Sequence, residues 1–156
     1  CDIRSFITHY SNSKSDIDCR IKTISPIEIA ADKFSALLWG INIHDRGAEP
    51  GTTENDPTVL RHLHDLSSLF NVINNSSEFQ NIVHASFERD RGRKGSDRVK
   101  SLKELSQDVF AKLTSDPLYS QEYAKFVAAM SYAPADEQIH FNDAVMNFNI
   151  LSEQIT

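Results

Sequence analysis

A lysine set into an apolar helical face is the residue of this chain best placed to do chemistry. In the run Ser25-Pro26-Ile27-Glu28-Ile29-Ala30-Ala31-Asp32-Lys33-Phe34-Ser35-Ala36-Leu37-Leu38-Trp39, the neighbours of Lys33 three and four residues away are Ile29, Ala30, Ala36 and Leu37. A helix keeps such positions for core, so the ammonium either snorkels to water along its own stem or stands as a fixed cation for a phosphate or carboxylate. Asp65 is the second candidate. It lies on the flank of the stripe Val59, Leu60, Leu63, Leu66, Phe70 and Ile73, with Arg61 and His62 one turn before it. A carboxylate there is either an ordinary solvated or paired group or the partner of a catalytic cation.

Helices must position both residues. Ser25, Pro26 and Glu28 read as an N-cap, a first-turn proline and a capping-box acid, and Asp56-Pro57 repeats the cap and proline ahead of the Asp65 segment. The two stretches Ala31-Asp32-Lys33-Phe34-Ser35-Ala36-Leu37 and Leu63-His64-Asp65-Leu66 together resemble the AbiEii/AbiGii family of nucleotidyltransferase toxins. In that family an Ala-Glu/Asp-Lys-x-x-Ala-Leu helix is followed by a helix ending in a Tyr/His-Asp-Leu turn. The resemblance covers about the first half of the chain. It implies that Lys33 and Asp65 hold the third and fourth catalytic motif positions, with the lysine on nucleotide phosphates and the aspartate in the same cleft. Arg61, a turn earlier, is the second cation placed for the nucleotide. The implied activity is transfer of a nucleotide from an NTP to RNA, with tRNA the leading acceptor, using Mg²⁺; a cognate antitoxin is the implied partner. Lys33 would neutralise triphosphate charge, and Asp65 would orient that lysine, position a metal-bound water or take the proton of the attacking hydroxyl. The charged ends should then lie about 4 to 10 Å apart, bridged by water or phosphate.

The chain departs from the family pattern in two ways. His62 stands where the family often has an acid, three residues before the aspartate. A Gly-Gly or Gly-Ser turn followed by an Asp-x-Asp strand is also expected, yet the first glycine is Gly40. Asp16-Ile17-Asp18 has the alternation of an acidic strand pair, but only 15 residues precede it and none is glycine. With a start at Cys1 in strand-like sequence, the chain reads as the C-terminal part of a longer protein, inactive alone and with no metal site of its own.

The basic residues gather after the midpoint, at Arg89, Arg91, Arg93, Lys94, Arg98, Lys100 and Lys103, around Gly92 and Gly95. Such a run is either a solvated loop or a phosphate-tracking arm, and Arg89, Arg91, Arg93 and Lys94 are the candidates for RNA contact. No aromatic residue falls between 88 and 109, which argues against base stacking by this segment. The net charge of −6 argues against broad nonspecific nucleic-acid binding.

The rest of the pattern is helical: 77 to 89, then about 98 to 114 with Val99 in its stripe, 117 to 132 with Met130, and a last helix from 134 with Ile139, Val145, Met146, Phe148 and Leu151. The aromatic and methionine stripes read as core. Residues 46 to 56 form a polar loop suited to the mouth of a cleft. The expected fold is therefore mainly α, a helical bundle with a short N-terminal strand region. A single domain is expected over 1–156, with 1–24 the strand remnant of the nucleotidyltransferase core and 25–156 the helical domain. With 156 residues, 40% hydrophobic content and no long apolar run, no membrane span is expected. Two cysteines without metal-ligand spacing suggest a reducing, cytoplasmic setting.

Two rivals follow from the same residues. His44-Asp45 and His64-Asp65, with Asp108 or Asp116, have the order of an HD-type metal phosphohydrolase, although His62 and His64 face apart on one helix. A noncatalytic helical protein-interaction domain is the other.

Overall fold

The computed structural model describes residues 23–56, 58–92, 99–130, 134 and 136–155, and among these it is mainly helical, with no strand. The expected N-terminal strand and the Asp16-Ile17-Asp18 pair lie outside the described residues, and Thr23 and Ile24, which are described, are irregular.

Helix α1 (Pro26–Ile43) is the hub. Ser25 closes its first turn: Ser25 N–H donates to Glu28 Oε2 at 2.9 Å and Glu28 N–H donates to Ser25 Oγ at 3.1 Å. That reciprocal box satisfies backbone donors that no helical carbonyl can reach. At the other end, Lys112 donates to the carbonyls of Ile41 at 3.0 Å and Asn42 at 2.9 Å, placing a cation on the negative end of the helix. Burial lowers the pKa of that ammonium. Asp56 lies ahead of α2 (Val59–Ser68), accepting from Thr58 N–H at 2.7 Å and Thr58 Oγ–H at 2.8 Å, but the cap itself is Thr58, two residues later than the sequence suggests and without a side-chain capping bond.

The stripe read as one helix to Ile73 is in fact two. Leu69, at φ −93° and ψ −1°, lies at the shallow edge of the right-handed helical region and interrupts the run, and a short α3 (Phe70–Ile73) follows before Asn75 turns the chain at φ +62°. The break keeps Ile73 in the core. Next come α4 (Ser77–Asp90), α5 (Leu102–Ser115), α6 (Pro117–Met130) and α7 (Phe141–Ile155). Helix α5 starts later than its apolar pattern suggests. A second capping box sets that start: Ser101 N–H donates to Glu104 Oε2 at 2.7 Å and Glu104 N–H to Ser101 Oγ at 3.3 Å. Val99 is left 92% exposed. Met130 and Met146 are likewise exposed and not core, since each falls outside the face that its helix presents to the bundle. The last helix begins at Phe141, and Ile139 enters the core edge ahead of it, its carbonyl taking the Tyr123 hydroxyl at 3.2 Å.

Helix α1 packs on α2, α4 and α5, and α7 closes the bundle against α2 and α5. Phe34, wholly buried, meets Phe79 edge-on at 6.1 Å and Phe148 at 5.4 Å, which ties α1 to α4 and α7. Between α1 and α2 the approach is close enough to require a glycine. A Cβ on Gly40 would lie 2.6 Å from Val59 Cγ2. Gly40→Ala therefore wedges the two motif helices apart: a loss of about 1–3 kcal/mol from overpacking, offset by about 1 kcal/mol of helix propensity, is expected in urea unfolding. An unchanged midpoint together with unchanged activity would show that the contact relaxes freely.

Candidate functional site

The helices bring Lys33 and Asp65 together directly. Lys33 Nζ lies 2.8 Å from Asp65 Oδ2, with the side chains 24% and 31% exposed. This is tighter than the bridged separation expected from sequence: the lysine stem spans the gap between α1 and α2 without an intermediary. The ammonium is thus neither free nor merely snorkelling, and it sits on an edge of the bundle that solvent reaches. Arg61 is exposed on the preceding turn of α2 and is held by no ion pair to a described residue.

His62 stands beside the pair in an unusual state. Its Nδ1 is buried without a hydrogen-bond partner. Burial first, then the positive charges of Lys33 and Arg61, lower its pKa from 6.5, against smaller opposing effects of Asp65 and Asp56. The ring is therefore neutral at pH 7. Because the folded-state pKa is depressed, the stability it contributes is full above pH 6.5 and is lost as the pH falls through the folded value, where the unfolded chain takes up the proton first. His62→Gln should thus flatten the fall in denaturation midpoint as the pH drops below 6.5. An identical acid-side slope in the variant would contradict this.

The loop read as a cleft mouth does line one. Asp45 N–H bonds the Glu54 carbonyl at 2.7 Å, Gly51 N–H bonds the Asn55 carbonyl at 2.9 Å, and Asn55 Nδ2 reaches the Ala48 carbonyl at 2.9 Å, so the loop is closed on itself. Gly51 turns it at φ +88°, a conformation that a side chain would strain. Its inner side faces α1 and His62 across the cleft.

The basic segment is only partly described. Arg89 lies 3.6 Å from Asp32 and 3.8 Å from Asp90, while Arg91 lies 3.3 Å from Glu88 and stacks on Phe87 at 5.2 Å. Both arginines therefore have acids beside them that offset their charge. Arg93 and Lys94 lie outside the described residues.

The HD-type set does not assemble. His44 Nδ1 bonds the Tyr119 hydroxyl at 2.7 Å, and His64 packs on the Tyr123 and Phe126 rings. Lys100 holds Asp108 at 2.7 Å, and Arg46 holds Asp116 at 2.7 Å and Glu122 at 2.6 Å while lying over the Tyr119 ring. Burial raises the Tyr119 hydroxyl to about 12 and also pushes the Tyr123 hydroxyl upward, so both remain protonated. Among the described residues no three His, Cys, Asp or Glu side chains converge on a metal position. The Arg46 cluster joins the α1–α2 loop to α6 and was not legible in the sequence, because its members are about 70 residues apart.

The family model of the nucleotidyl transferase AbiEii toxin, type IV toxin–antitoxin system, matches residues 2–147. The chain belongs to that family. The match carries the AbiEii likeness past the two motif helices and into α7, well beyond the half of the chain on which the short motifs were read. No curated protein and no solved structure matches the chain. Family chemistry implies Mg²⁺, and the described residues of this AbiEii chain offer no group of three or more ligand side chains to hold it. None of the helices formed by the described residues is long and apolar enough to cross a membrane.

Proposed function

We propose that this AbiEii domain binds the triphosphate of an NTP at Lys33 and serves transfer of a nucleotide to an RNA, with tRNA the first acceptor to test, in the cytoplasm and under the control of a cognate antitoxin. The observation that carries the reading is the 2.8 Å Lys33–Asp65 pair, formed by the two family motifs at a solvent-reached edge of the bundle. In the reaction an RNA hydroxyl oxygen attacks the α-phosphorus, the new phosphodiester bond forms as the bond to pyrophosphate breaks, and the hydroxyl proton passes to solvent. Lys33 offsets charge on the phosphates as it accumulates toward the leaving group. Direct contact supports Asp65 as the group that orients Lys33, ahead of its other two conceivable roles. Arg61 is the second cation within reach of the phosphates, and Mg²⁺ belongs to this reading through ligands other than the described residues.

Transfer is tested with the full-length protein, α-labelled NTPs and purified tRNA, following label into RNA on a denaturing gel. Label should enter RNA with the wild-type protein and not with Asp65→Ala. Equal labelling by both would end the reading. For the basic segment, Arg91→Ala should raise the KM for RNA without changing that for NTP, and should lower the slope of log KM against log salt by about one phosphate contact. An unchanged slope would return Arg91 to a purely structural place against Phe87 and Glu88.

A further inference from the structure

The face of α1 that bears Lys33 also bears Ala36 and Gly40, three and seven residues on, so the ion pair and the loop-lined cleft share one side of the hub helix. The cleft holds about 400 Å³, within the range of small-molecule sites. Its apolar wall comes from Ala36, Trp39 and Gly40, and its polar wall from Thr52, Thr53 and His62. A cleft that sets an apolar wall against two threonines and one imidazole suits a heterocycle carrying a polyhydroxylated sugar, with the Thr52 hydroxyl left to accept because it donates to the Glu49 carbonyl at 2.8 Å, and it suits a bare phosphate poorly because Asp56 also lines it.

The imidazole has a defined role open to it. A proton on the buried Nδ1 would be a donor with no acceptor, which is costlier than a bare lone pair, so the neutral ring carries its hydrogen on Nε2. No hydrogen bond from a described residue occupies Nε2. Lys33 of α1, Arg61 and Asp65 of α2 and Asp56 of the loop surround the ring; burial and the two cations favour the uncharged form and outweigh the two carboxylates, which oppose it.

Resting on the nucleotidyltransferase reading above, we propose that this cleft receives the nucleoside end of the nucleotide whose phosphates meet Lys33, and that His62 Nε2–H donates a hydrogen bond to that nucleoside. His62 is then a binding residue at a position where the family often has an acid. An acid there would be an acceptor and a charge; the histidine supplies a neutral donor instead.

Trp39 is the chain's single tryptophan and lines the cleft, so its fluorescence is a local probe. The experiment titrates the full-length protein, beside its Trp39→Phe variant as the control that isolates the Trp39 signal, with ATP, GTP, CTP and UTP and with the corresponding nucleosides. The wild type should show a saturable change with at least one pair. His62→Gln, whose amide nitrogen can occupy the Nε2 position, should bind within about threefold of wild type, whereas His62→Asn and His62→Leu should bind about tenfold more weakly. Lys33→Ala should weaken the triphosphate but not the nucleoside. Equal affinity across the His62 variants, or melting of all three at low temperature without a binding difference, would overturn the assignment. If neither NTPs nor nucleosides alter Trp39 while label still enters tRNA, the cleft assignment falls and the transfer reading stands. Nucleoside binding that follows this His62 order in a protein without transfer activity would have the opposite meaning.

Discussion

Lys33→Ala in the full-length protein should lower nucleotide transfer by about 100-fold or more and remove toxicity, with the domain still folded. The magnitude follows from deleting a preorganised cation aimed at phosphate charge, which typically costs about 100- to 1,000-fold in rate. Stability should hardly move, because a pair with side chains 24% and 31% exposed contributes at most about 1 kcal/mol. The double exchange Lys33→Asp with Asp65→Lys sharpens the test. It rebuilds an ion pair across α1 and α2 and should restore the thermal midpoint, but it moves the ammonium to the other helix and should leave transfer lost. Wild-type transfer by Lys33→Ala would sink the mechanism; loss of activity accompanied by unfolding would make the pair structural.

The largest stability effect is expected one residue along. Phe34→Ala removes a fully buried ring that touches Phe79 and Phe148, and so leaves a void where α1, α4 and α7 meet. Truncations of this kind cost about 3–5 kcal/mol, a large share of the 5–15 kcal/mol that holds a typical domain. Urea unfolding should show the loss as a lower midpoint with little change in slope, and Phe34→Leu should recover more than half of it. A loss below about 1 kcal/mol would mean that the junction collapses around the deletion. Adjacent positions on one helix thus make opposite predictions: Lys33 is needed for function with little stability at stake, and Phe34 the reverse.

Helix starts were the most legible part of this chain because caps are local chemistry. Ser25 with Glu28 marks α1 through bonds between residues three apart, and Asp56 marks the turn that leads into α2, although the cap of that helix falls at Thr58. Where two local signals competed, the cap prevailed over the apolar pattern: Ser101 and Glu104 set the start of α5, and Val99, periodic but outside the cap, stays in water. The methionines misled for a related reason. Periodicity gives the spacing of a stripe but not its width, and Met130 and Met146 fall beyond the edge that neighbouring helices cover. The break at Leu69 gave no proline or glycine signal, because the shallow ψ of −1° falls on a leucine, a residue type that does not announce it.

By itself the sequence determined a mainly helical chain, the membership of its two motif segments in a nucleotidyltransferase toxin family, and the pairing of Lys33 with Asp65 as the centre of interest. Those are properties of residue type and short spacing. Only the tertiary structure decided that the pair is in direct contact, that His62 has a buried ring nitrogen with no partner, that Lys112 caps α1, and that Arg46 ties the cleft loop to α6. Each depends on the distance between side chains on different helices, which closest approach at residues such as Gly40 fixes and which no local pattern encodes.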